Sequence, residues 1–243
     1  MGKLLVVVII VLLIIGVVVL GLGYVGLVPS VARLLGSDRP RDLGVRYTAA
    51  DLASGNAKSG TKTTALPAGA APRDSYKTSG SVSVKAAFTD EELTAIIAER
   101  EKQWAYFPVS NAQIKIHGDG TVEASGVLRV DRVYGCADAL GFSAQAVDAA
   151  LSALKIIGGN PPVYVRGTGA VTNGRVTIDV QRLEIGRLPV PSGLIAGNQE
   201  LIVSTIEQVI RASGVDARSV TFADGELRFD GSKPATRALS AAQ

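Results

Sequence analysis

Residues 161–186 read "PPVYVRGTGAVTNGRVTIDVQRLEIG", and the fold depends on how this stretch is read. Asn173-Gly174 separates two runs in which apolar and polar residues alternate, the pattern of a β-hairpin with a two-residue turn. On the return run Val176, Ile178 and Val180 keep one phase, and the phase then slips to Leu183 and Ile185. One extra residue sits between, at Gln181-Arg182. A β-bulge produces such a slip and bends the strand. Gly167 and Gly169 on the opposing run remove side chains where a sheet curls. The stretch therefore predicts a long bent hairpin in a curved antiparallel sheet.

Working outward, other segments carry matching signals. In "SVSVKAAFT" (81–89), Val82, Val84, Ala86 and Phe88 share one face of a strand. Thr89 then opens a capping box with Glu92, starting a helix with Leu93, Ile96, Ile97, Arg100 and Trp104 on one side that stops near Pro108. Residues 112–130 form a hairpin turning at Gly118-Asp119-Gly120. Ser143 caps a helix with Val147, Leu151 and Leu154 inward. A third helix lies in 191–213, with Ile195, Ile202, Ile206 and Val209 as its stripe. A third hairpin, 218–231, turns at Asp224-Gly225. The fold class expected is α+β: a curved antiparallel sheet of long β-hairpins packed on amphipathic helices at its concave side.

The N-terminus is of another kind. From Leu4 to Val28 no side chain is charged, and about 20 apolar residues suffice to cross a bilayer. Gly21, Gly23 and Gly26 in "GLGYVGL" spell G-x-G-x-x-G, the spacing of a dinucleotide-binding turn. That motif requires a short strand before it, a good helix after it, and an acidic residue closing a second strand about 20 residues on. Here the preceding run is of membrane length, Pro29 and Gly36 bracket a weak helix, and no apolar strand leads to Asp42. Binding of NAD through GLGYVG is thus the least favoured reading. The run is too long for the apolar core of a cleaved leader, and residues 20–30 hold no A-x-A. We expect a single-pass signal-anchor over 1–28, a juxtamembrane segment and flexible linker over 29–80, an α+β domain over 81–232 and a disordered tail over 233–243. Lys3 ahead of the run places the body outside the cytoplasm, although Arg33, Arg39, Arg41 and Arg46 beyond it weigh the other way.

Composition excludes several classes. Lys and Arg total 25 against 22 Asp and Glu, a net charge of +3 without basic runs, so no nucleic-acid partner is expected. One cysteine, Cys136, forbids an intrachain disulfide, and one histidine, His117, removes most metal and acid–base constellations. His117 reads as a solvated strand end, Cys136 as a small buried thiol. Neither a catalytic residue, a cofactor nor a metal is expected, and the chain is not read as an enzyme. Trp104, Tyr106 and Phe107 in "WAYFP" read as core or as a lip dipping into a membrane interface.

A strand leading into "FTDEELTAIIAE", then "FPVSNAQIKIHGDGTVEASGVL", then "GRVTIDVQRLEIGRLPVPSGLI" before a long helix resembles a group of small membrane-anchored bacterial proteins of uncharacterised function. These resemble the tubular lipid-binding (TULIP-like) superfamily, in which a long helix lies in a curled sheet and encloses an apolar channel. The resemblance covers residues 81–231 and implies a cell-envelope protein that binds a lipid or other apolar ligand between sheet and helix. Leu183, Ile185, Leu188, Ile195, Ile202, Ile206 and Val209 are the expected acyl-chain contacts; the alternative is that they pack on each other as an ordinary core. A different class stays open, a non-enzymatic assembly component of an envelope complex that pairs through exposed strand edges.

Overall fold

The structure, a computed structural model, describes Val17, residues 37–152 and residues 159–242, without the side chains of 149–152. The expected membrane helix and the GLGYVG glycines lie outside the described residues, Val17 apart. Among the described residues no helix is long and apolar enough to cross a membrane.

The chain is α+β, with a curved antiparallel sheet and a few helices. In chain order the elements are α1 (Ala49–Ser59), β1 (Lys62–Leu66), β2 (Tyr76–Ser79), β3 (Val82–Thr89), α2 (Asp90–Gln103), β4 (Val109–Ile116), β5 (Val122–Leu128), α3 (Val130–Ala139), α4 (Ala144–Ser152), β6 (Pro162–Thr172), β7 (Arg175–Ile185), β8 (Leu188–Pro189), α5 (Ser192–Gly197), α6 (Gln199–Ala212), β9 (Asp216–Ala223), β10 (Glu226–Lys233) and β11 (Thr236–Ser240). Eight strands form the large sheet in the order β3-β10-β9-β6-β5-β4, with β7 and β8 branching from β6. Strand β6 is its spine. One edge of β6 pairs with β7 along its length, and the other pairs with β5 over 162–167 and β9 at Val171 and Thr172. Two hairpins thus abut along one edge of a single long strand.

The hairpin turns follow from residue type. Asn173-Gly174 and Asp224-Gly225 take positive φ at both positions (52° and 76°, 55° and 79°), the geometry that matches strand twist. Curvature comes from three register shifts, and each faces a glycine. Gln181 is the unpaired residue opposite Arg166-Gly167, at the position read from the slip in phase. Arg218 is unpaired opposite Asp230-Gly231, and Asn111 and Ala112 crowd opposite Gly126. A Cβ at Gly167 would strike the Asp179 carbonyl, one at Gly231 the Asp216 carbonyl, and one at Gly126 would lie 2.6 Å from Val109 Cγ1. The bulged strand bends toward its partner, and only glycine leaves room for it.

Helices α2 and α6 lie against the sheet and also close its edges. Thr94, 1 % exposed, accepts from Ile114 N–H at 3.1 Å, and Asp90 accepts from Ile116 N–H at 2.8 Å. Both are outward backbone groups of the edge strand β4. On β7, Gln199 donates to the Ile178 carbonyl and Glu207 accepts from Val176 N–H. These contacts occupy backbone groups that an incoming strand would need. The Thr89–Glu92 capping box forms as expected. Glu92 also anchors α1, accepting from Ser54 (2.6 Å) and Lys58 (2.8 Å) where Gly55 brings the helices together.

Residues 53–80, within the expected juxtamembrane segment and linker of 29–80, and residues 233–242 of the expected tail depart from expectation. The segment expected as a linker contributes the end of α1, β1 and β2, and the segment expected as a disordered tail contributes β11. These strands make a second sheet in the order β1-β11-β2, with β1 and β11 parallel. Leu239 of β11 is 2 % exposed against Tyr76 and Trp104. Ser240 donates to the Pro67 carbonyl at 2.7 Å, and its own carbonyl accepts from Ala105 N–H. Small polar residues read as loop in isolation, but here each strand finds its partner from far along the chain.

Candidate functional site

The large sheet has one apolar face, and along β6 it is covered unequally. Toward the C-terminal end of β6, Val171 and Val176 join Val84, Phe88, Ala217 and Phe229 in a core closed by Val203, Ile206 and Ile210 of α6. Toward the N-terminal end, pairing aligns Ile114, Ala124, Val165 and Leu183 in one row across four strands. Directly paired residues share a face. Over this row Ile97 of α2 and Phe107 border a cavity of about 270 Å³ whose walls are carbon almost throughout. The row contains a small residue, Ala124, and its neighbour Gly126 has no side chain, so the sheet cannot fill the space itself.

The expected ligand contacts divide between the two halves. Leu183 lines the cavity. Ile206 packs into the filled core under α6. Ile185 pairs with Val163 and Leu188 at the β7–β8 turn, and both Ile185 and Leu188 are half-buried. Ile195 is buried, Ile202 half-buried, and Val209 is 38 % exposed. The cavity wall thus adds Ile97, Phe107, Ile114, Ala124 and Val165 to Leu183. All but Phe107, which lies between α2 and β4, sit in elements legible from the sequence, but the row of Ile114, Ala124, Val165 and Leu183 follows from pairing across strands and has no local signal.

The aromatics of "WAYFP" lie in a second core. Trp104 is 3 % exposed, donates its indole N–H to Ser75 Oγ at 3.0 Å and stacks at a tilt on Tyr76 at 5.1 Å. Tyr106 donates to the Ala70 carbonyl, and Phe107 lies 6.2 Å from Trp104 between this core and the cavity. Cys136 packs against the same cluster, where burial pushes its thiol up to about 11, far from nucleophilic use.

The opposite face of the sheet is polar. Arg41 forks onto Glu184 at 2.7 and 2.8 Å and lies over the Tyr164 ring at 4.4 Å. Tyr164 donates to Glu123 at 2.7 Å, and His117 pairs with the other Glu123 oxygen at 2.6 Å. Burial pushes the Glu123 carboxyl up, but the bonds from Tyr164 and His117 outweigh it and hold it below the usual range. This network binds residues 39–47 to the sheet. Beside it lies a larger cavity of about 890 Å³, between Arg39–Tyr47 and the outer side of α2. Of its lining cations, Arg41 pairs with Glu184, Arg46 with Asp42, and Lys102 lies 3.7 Å from Glu99. Among the described residues no three His, Cys, Asp or Glu side chains gather as for a metal. No family model, curated protein or solved structure matches the chain.

Proposed function

We propose that the chain is a membrane-anchored binding protein that holds an apolar ligand, such as part of a lipid acyl chain, in the cavity under Ile97 and Phe107. The uncharged run of 4–28 is the anchor, and the body stands on the extracytoplasmic side. The carbon-lined cavity on the uncovered half of the apolar face carries this reading. A carbon-lined groove of this size offers water few hydrogen-bond partners and suits an apolar guest. A helix lying on a curved sheet beside such a cavity also fits the tubular lipid-binding resemblance. Closure of the β4 edge by Asp90 and Thr94 disfavours assembly by strand addition there.

Native mass spectrometry of the full chain, released from mild detergent, tests the reading. Co-purified lipid is expected on the natural chain and is lost in Ala124→Phe, which places a ring in the cavity. A lipid-free chain whose Ala124→Phe form melts higher would show a simple void and overturn the proposal.

A further inference from the structure

At the seam of the two sheets, α2, β10 and β11 bring three cations together. Arg100, Lys233 and Arg237 line one cavity of about 280 Å³ with Ser59 and Thr61. Arg237 is 5 % exposed, and its Nε donates to Tyr76 Oη at 3.2 Å. Lys233 donates to Ser59 Oγ at 2.7 Å and sits 5.6 and 5.8 Å from the rings of Phe88 and Phe229. No carboxylate lies within 4.0 Å of any of the three among the described residues. Glu99 is the one carboxylate lining the cavity; it accepts from Gln103 and lies 3.7 Å from Lys102.

Such an arrangement is costly unless something neutralises it, because burial and like charges both disfavour the cationic forms. Burial and then Arg237 push Arg100 down to about 10; burial, Arg237 and Arg100 push Lys233 down to about 8. An independent feature points the same way. Thr61 Oγ1, in the same cavity, is buried without a hydrogen-bond partner, and orphaned polar atoms of this kind call for a missing group.

We propose that Arg100, Lys233 and Arg237 bind a phosphate group, with the Thr61 hydroxyl donating to one of its oxygens. Guanidinium forks suit tetrahedral oxyanions, and the cavity has room for more than the anion alone. The site is separate from the carbon-lined cavity and stands whether or not that cavity holds a ligand.

The test is thermal melting of the full chain in nonionic micelles at pH 7. Inorganic phosphate should raise the melting temperature by about 3–8 °C over chloride of equal ionic strength. Short-chain phosphatidic acid is compared with phosphatidylcholine of the same chains. A rise with phosphate alone assigns the site to a soluble phosphate compound; a rise with phosphatidic acid over phosphatidylcholine assigns it to a headgroup. Arg100→Gln should melt no lower than the natural chain without phosphate, because it relieves repulsion, and should respond at least tenfold more weakly. Thr61→Val should weaken the response by a smaller factor. Absence of any phosphate-specific rise, or a full response in Arg100→Gln, overturns the proposal.

Discussion

The two sheets differ in how much of their pairing is local. The large sheet is built around three hairpins, β4–β5, β6–β7 and β9–β10, with turns spelled by Asn-Gly and Asp-Gly and bends by bulges facing glycine, and β3 joins it by pairing with β10 from far along the chain. The small sheet joins β1 and β2 to β11, about 170 residues away, and its pairs have almost no local signal. Local pairing with strong turn chemistry is legible from composition and phase. Non-local pairing of short polar strands is specified only by the surfaces that bring them together, chiefly Trp104, Tyr76 and Leu239.

This contrast can be broken by substitution. Gly167→Val drives a side chain into the Asp179 carbonyl at the bulge that bends β7, and a loss of about 4 kcal/mol or more is expected in urea unfolding. An effect near zero would show that the bend does not need glycine. In the small sheet, Leu239→Ala empties a fully buried site, and about 3 kcal/mol should be lost. Hydrogen exchange then separates the two regions: amides of 62–66 and 76–79 should lose protection while those of 163–185 keep it. Uniform loss would mean that the sheets unfold as one unit.

At the contact of the two helices, Glu92 joins α1 to α2. Glu92→Gln should cost about 2 kcal/mol, since it weakens the pairing with Lys58. Burial pushes the Glu92 carboxyl up, but Lys58, Ser54 and Thr89 N–H outweigh it and lower its titration in the folded state. Its contribution is therefore present above the ordinary carboxylate range and lost as pH falls through the lowered value. In Glu92→Gln the acid limb of a stability–pH curve should be shallower.

A further expected effect is alkaline. Lys233 faces Arg237 of β11, Arg100 and Glu99 of α2, Ser59 of α1, and the rings of Phe88 and Phe229. It titrates near 8 when folded and at 10.5 in the reference state. Between these values the unfolded chain binds more protons, so this group makes stability rise with pH there. Lys233→Met should flatten that rise in urea unfolding at pH 7.5 and pH 10.

Particular residues show how far the sequence reaches. The slip after Val180 located the bulge at Gln181, because strand phase is a local property. The Thr89–Glu92 box marked the start of α2, although it gave no sign that Glu92 also holds α1. Leu183 was identifiable as an inward residue. That it meets Ile114, Ala124 and Val165 in one row depends on the register of three strand pairs. Residues 53–80 and 233–243 carry the small polar composition of loops, so their order was illegible until β11 was placed.

By itself the sequence determined the hairpins, their turns, the helix caps, the α+β class and the bend in β7, all set within about ten residues of chain. Tertiary structure alone decided which half of the apolar face is filled, the closure of strand edges by Thr94, Asp90, Gln199 and Glu207, and the meeting of Arg100, Lys233 and Arg237. Those features join residues from distant parts of the chain, and their energies exist only once packing has excluded water and fixed the distances between them.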